Sequence, residues 1–215
     1  MWWHIAHLVV LVAEHLALPG GNRNRHLPCP VVHTQSSIDA GLLLLRAVVG
    51  TVFVAHGWNH IFGGGKIAGT GRWFESLGMR PGRLHAWTAS LMELVSGSLL
   101  LVGLLTPFAG AGVVGVMVVA WITNHRRNGF FIFRPGEGWE YVMTLTVLGL
   151  AVAVLGAGRI SLDHVADLDR LAGWTGLGIA LVAGVGGAAA LLVAYWRPEA
   201  PSPTTEPGEV PTPGG

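Results

Sequence analysis

Five long apolar stretches, separated by short polar loops, decide what this chain can fold into. They cover residues 38–62, 84–105, 108–123, 141–155 and 173–196, and nearly every charge within them is a single Arg, His or Glu side chain. A helix needs about 20 mostly apolar residues to cross the ~30 Å hydrocarbon core of a bilayer. Three of the stretches reach that length, and Asn124 and Glu140 extend the two shorter ones towards the headgroups. Only helices and closed barrels satisfy their backbone inside lipid, and these runs lack the alternation of barrel strands. The chain therefore reads as all-α, a polytopic membrane helical bundle.

Composition narrows the organisation. With 215 residues, 51% hydrophobic and 12% charged, the chain has room for one bundle and no second folded domain. A net charge of +1 supplies no basic surface for nucleic acid. The single cysteine, Cys29, excludes an internal disulfide.

Residues 1–37 read as an N-terminal segment, with an interfacial helix over 1–18 and a loop after it. His4, His7, Glu14 and His15 interrupt that helix, no basic region precedes it, and a signal peptide is not expected. A sixth crossing is the alternative. Residues 197–215 are rich in Pro, Gly, Thr and Glu and are expected to form a disordered tail.

Basic residues collect on the cytoplasmic side of membrane proteins. Lys66, Arg72, Arg80 and Arg83 follow the first span, Arg126, Arg127 and Arg134 the third, and Arg197 the fifth. Arg159 and Arg170 are diluted by Asp163, Asp167 and Asp169. This bias predicts an N-terminus outside and a C-terminus in the cytoplasm. Trp58, Trp87, Trp121, Trp139 and Trp196 then fall near the cytoplasmic ends of their spans, as an aromatic belt should.

Ionisable residues inside a membrane are costly and usually face the bundle interior. The first span holds Arg46, His56 and His60, and the second holds Glu93. At about 100° per residue, Arg46, Gly50, Phe53, Gly57 and His60 share one face, and Ala86, Ser90, Glu93 and Gly97 share another. Both faces are rich in small residues that let helices approach closely. They are expected to meet, with an Arg46–Glu93 interaction at the centre.

A second polar group, His56, His60, His85, His125 and Glu140, gathers at the cytoplasmic helix ends. His56 and His60 have an i, i+4 spacing that suits a metal, but no His-Glu-x-x-His or cysteine pattern accompanies them. No metal or haem is assigned on that pattern. Gly63-Gly64-Gly65-Lys66 lacks the Ser or Thr of a phosphate loop, since Ile67 follows, and reads as a turn that brings Trp73 and Phe74 into the interface. In the fifth span, Gly176, Ala180, Gly184 and Ala188 form a ladder for tight helix packing, within the bundle or against a partner subunit.

Leu45-Arg46 with Gly50, Phe53, His56-Gly57 and Ile61-Phe62 resembles the opening helix of the DoxX family. Glu93-Leu94 with Gly97 and Gly103-Leu104-Leu105-Thr106 resembles its second helix. Asn128-Gly129-Phe130-Phe131, Glu140-Tyr141 and Gly158-Arg159-Ile160-Ser161-Leu162-Asp163 resemble its later landmarks. The resemblance covers residues 38–165 and implies a four-helix membrane core, to which 173–196 adds a fifth transmembrane helix. It also implies the bacterial plasma membrane and an association with redox systems. One family member is the membrane subunit of a thiosulfate:quinone oxidoreductase. Others organise a superoxide dismutase and a sulfurtransferase in oxidative stress and thiol homeostasis. By position, Arg46, His56, Glu93, Asn128 and Glu140 match the family's polar positions, whereas His60 stands where many members have lysine.

Two functions compete on these grounds. The first is a subunit or scaffold without its own catalytic centre, which receives soluble or membrane redox enzymes, or a second copy of the chain. The second is a quinone-linked oxidoreductase subunit, in which Arg46, His56, His60, Glu93, Asn128 and Glu140 are the candidate buried polar or quinone-binding residues. A small-solute transporter ranks third, because no broken-helix pair or inverted repeat is legible.

Overall fold

In the computed structural model, which describes residues 35–198, each apolar stretch forms a helix. The expected interfacial helix over 1–18 and the expected tail beyond residue 198 lie outside the described residues. Helix α1 spans Gln35–Phe62, α2 Lys66–Ser76, α3 Gly82–Val102, α4 Thr106–His125 and α5 Glu140–Leu155. A single turn, α6, follows at Leu162–Val165, and α7 spans Gly173–Tyr195. Helices α1, α3, α4 and α7 are long and apolar enough to cross a membrane, and α5 is a shorter apolar helix. Among the described residues there is no strand, only an isolated bridge between Met79 and Trp196. The chain is a multi-pass helical membrane bundle.

The outward faces are apolar. Leu44, Val48, Val95, Val147, Val182 and Val193 are exposed, as lipid contact requires. The interior combines Val49, Phe53, Leu100, Val113, Leu145 and Val152 with small residues where backbones touch. A methyl group added to Gly50 would stand 2.7 Å from the Gly97 carbonyl oxygen, and one added to Gly57 would stand 2.8 Å from that of Ser90. These two contacts lock the antiparallel register of α1 and α3. Similarly, a methyl at Gly110 would meet the Gly149 carbonyl at 2.7 Å, which brings α4 against α5.

The small-residue ladder of α7 is buried along its length at Gly176, Ala180, Gly184 and Ala188. It packs inside its own bundle, with Gly184 against the Ala111 carbonyl of α4 and Gly176 against that of Ala153 in α5. Two helical segments are wound more widely than an α-helix. Trp121–His125 ends α4 and Ala180–Gly186 forms the middle of α7, both as π-helix. Such wide turns are frequent at functional sites, and here both help wall one cavity.

At the end of the bundle where α3 turns into α4, charge organises the backbone. Fully buried Arg46 donates from Nη1 to the Leu100 carbonyl at 2.9 Å and from Nη2 to the Ile160 carbonyl at 2.6 Å. Leu100 lies in the last turn of α3, where helix carbonyls lack partners and a cation is favoured. Gly103 ends the helix with φ 66°, and a side chain there would collide with the Arg46 guanidinium. Asp163 accepts the backbone N–H of Leu105 at 2.7 Å and of Thr106 at 2.9 Å, capping the start of α4.

This register overturns the expected Arg46–Glu93 pair. With Gly50 opposite Gly97, Arg46 falls beside Leu100, two turns of α3 away from Glu93. Helical phase alone placed both residues on facing surfaces but left the offset between the helices undetermined.

Candidate functional site

The C-terminal ends of α1, α4 and α7 and the N-terminal ends of α3 and α5 meet at the opposite end of the bundle. The Met79–Trp196 bridge ties α7 to the segment before α3, and the Arg126 guanidinium lies 5.5 Å from the Trp196 ring centroid. These ends surround a cavity of about 480 Å³, a size that suits a small organic ligand. Its walls are largely apolar and include Trp73, Phe74, Met79, Met92, Met117 and Leu191. Phe74 reaches the cavity because it packs inward with Met79, Ala86 and Leu192. Thus α2 folds back into the bundle and contributes Trp73 and Phe74 to this wall.

One wall is polar. His56 and His60 project from successive turns of α1, and Glu93 projects from α3 between the contacts of Gly57 with Ser90 and Gly50 with Gly97. The His60 Nε2 lies 3.5 Å from Glu93 Oε2, longer than a normal hydrogen bond. The Tyr141 hydroxyl of α5 lies 3.4 Å from His56 Nε2, with the two rings stacked at 6.1 Å between centroids. His85 enters from the start of α3 with its ring edge against Tyr195, and Asn124 and His125 enter from the wide last turn of α4.

Two polar atoms on this lining are buried and lack a hydrogen-bond partner, Glu93 Oε2 and His85 Nε2. Their residues are only 5% and 4% exposed. A buried polar atom without a partner is costly, and on a residue that lines a cavity it marks a place where a ligand would compensate.

The six residues singled out from sequence separate into two groups. His56, His60 and Glu93 line the cavity together. Arg46 lies at the α3–α4 turn with its two carbonyl partners. Asn128 ties the loop after α4, donating to the carbonyls of Asn124 at 3.1 Å, Gly136 at 2.5 Å and Glu137 at 3.1 Å. Glu140 accepts the Ile132 N–H at 3.3 Å in the same loop. None of these three lines the cavity. Sequence reasoning missed Tyr141 as a cavity residue and Asp163 as a cap. Tyr141 stands one position after Glu140 in an apolar run, and only helix packing selects it.

The DoxX family model matches residues 41–126 of the chain. That region contains His56, His60, His85 and Glu93. Among curated proteins, the chain is similar to one named "Putative oxidoreductase CatD" from Bacillus subtilis (strain 168). The two are 30% identical over 127 residues, which is 59% of this chain and 87% of the relative. No solved structure matches the chain significantly.

Proposed function

The chain belongs to the DoxX family, and from that premise we propose that it is a membrane redox subunit whose cavity binds a quinone. The observation that carries this reading is a largely apolar cavity whose lining holds His85, with its Nε2 buried and without a hydrogen-bond partner. A quinone needs apolar walls for its ring and tail and hydrogen-bonding groups for its oxygens. Trp73, Phe74 and Met92 supply the first. His85, Asn124, His125 and Tyr141 supply the second. The relative named as an oxidoreductase supports redox chemistry as the setting.

Charge supports an orientation. Lys66, Arg72, Arg80, Arg83, Arg126, Arg127, Arg134 and Arg197 are exposed at the cavity end, while Arg159 and Arg170 belong to the opposite end. By the positive-inside rule the cavity end faces the cytoplasm of a bacterial plasma membrane. That basic rim also favours a second reading, in which the chain receives a soluble redox enzyme of the superoxide dismutase or sulfurtransferase type. The two readings are compatible in one complex.

The test of the first reading is titration of the purified chain with a short-chain quinone, followed by tryptophan fluorescence. Gly187 lines the cavity, and a methyl group added there would meet nothing within 4 Å. Gly187→Leu is therefore expected to narrow the cavity, with Gly187→Ala, whose methyl group meets nothing, as the control for the fold. Saturable quenching that Gly187→Leu loses supports the reading. Quenching that is unsaturable, or unchanged in Gly187→Leu, contradicts it.

A further inference from the structure

We propose that His56, His60 and Glu93 form a site for one divalent transition-metal ion, of the zinc or ferrous class, in the wall of the cavity. One ligand atom from each of the three residues lies within 4.8 Å of the other two. The i, i+4 spacing on α1 places both imidazoles on one side of that helix, and the α1–α3 register brings the carboxylate to them. The third ligand is therefore a product of the fold. It lies 33 residues beyond His60 and has no sequence motif to announce it.

The spacing within the group fits an ion better than a direct hydrogen bond. His60 Nε2 and Glu93 Oε2 are 3.5 Å apart. Metal–nitrogen and metal–oxygen bonds of about 2.0–2.2 Å place neighbouring tetrahedral ligands about 3.3–3.5 Å apart. Glu93 Oε2 is also buried without a hydrogen-bond donor, although His60 is its neighbour. A buried carboxylate oxygen without a donor, close to two imidazoles, is arranged as a ligand.

The donor set limits the ion. Two imidazoles and one carboxylate suit zinc, ferrous iron and their first-row neighbours. Magnesium and calcium prefer oxygen-only cages, and cuprous ion prefers sulfur. Three protein ligands would leave coordination positions open, and all three residues line the cavity. The Tyr141 hydroxyl, 3.4 Å from His56 Nε2, stands next to the ligands and orients one ring. This inference rests on the spacing of the three side chains and holds whether or not a quinone enters the cavity.

The experiment uses the full chain in mild detergent, purified through a tag without histidine and stripped with a chelator. It is titrated with Co²⁺ alone, read by visible absorption, and then with Zn²⁺ in competition. The expected result is one Co²⁺ per chain, displaced by Zn²⁺, with affinity for Zn²⁺ reduced about tenfold or more in both His60→Ala and Glu93→Gln. His164→Ala, a histidine outside the cavity that pairs with Asp169, leaves affinity unchanged. His56→Ala, on the more exposed ligand, provides the same loss should the buried variants fail to fold. Absence of stoichiometric Co²⁺ uptake by the native chain overturns the proposal. So does affinity that the triad variants leave intact.

Discussion

Arg46 and Asp163 hold the α3–α4 turn from its two sides, the cation on the last turn of α3 and the carboxylate on the first N–H groups of α4. Both are buried. Each complements the partial charge of the helix end that it meets. A tight antiparallel connection between two apolar helices leaves unsatisfied carbonyls and N–H groups inside the membrane, where no water can serve them. These two side chains satisfy part of that deficit. They position α3 against α4, and with them the cavity at the other end of the same helices.

Arg46→Gln removes the cation and leaves the Leu100 and Ile160 carbonyls short of a donor. Charged hydrogen bonds contribute about 1.5–3 kcal/mol each, so the variant should lose about 3 kcal/mol or more. Thermal unfolding in detergent measures this. A stability equal to that of the native chain would show that the two contacts carry no weight.

Asp163→Ala removes the cap of α4. Caps of this kind are worth about 1–2 kcal/mol. The expected outcome is a lower unfolding temperature with quinone affinity retained, since Asp163 does not line the cavity. A change in affinity at constant stability would contradict the separation of the two ends.

Reversing Arg46 and Glu93 together should give no rescue over the two single reversals. In the observed register the residues lie about two turns apart along α3, roughly 10 Å at 1.5 Å per residue. Expression and unfolding of Arg46→Glu, Glu93→Arg and the double variant decide this. A double variant that regains native stability would restore the direct pair.

Gly97→Val should separate α1 from α3. Even its first carbon would stand 2.7 Å from the Gly50 carbonyl oxygen and 2.9 Å from Val54 side-chain and backbone atoms. Overpacking typically costs about 1–3 kcal/mol. The shift should also move Glu93 relative to His60, so loss of stability is accompanied by weaker binding in the cavity. Unchanged stability and binding would mean that the helices do not depend on this contact.

These features show where sequence was informative. Hydrophobic length located all five apolar helices, four of them long enough to cross a membrane, because the bilayer imposes it on the chain directly. Thr106–His125 runs slightly longer than its apolar stretch, since polar Thr106, Asn124 and His125 continue the helix. Helical phase correctly turned Gly50, Gly57, Ser90 and Gly97 towards the α1–α3 contact. It could not supply the offset between the helices, and the offset decides that Glu93 meets His60 and Arg46 meets carbonyls. The ladder of α7 was legible for the same reason as the glycines of α1. Its choice between partners within and outside the bundle required the fold. Tyr141 and Asp163 had no pattern of their own, because their roles depend on elements far away in sequence.

The proposed redox role depends on a quinone entering the cavity between α1, α3, α4 and α7. Photoaffinity labelling of native membranes with an azidoquinone, followed by peptide mapping, tests it most directly. Labels are expected on Met92, Met117 or Leu191, all on the cavity lining. Gly187→Leu and an excess of unlabelled quinone should both remove them. Labels confined to the exposed outer residues Val95, Val182 and Val193 would place the probe in the lipid and contradict the claim.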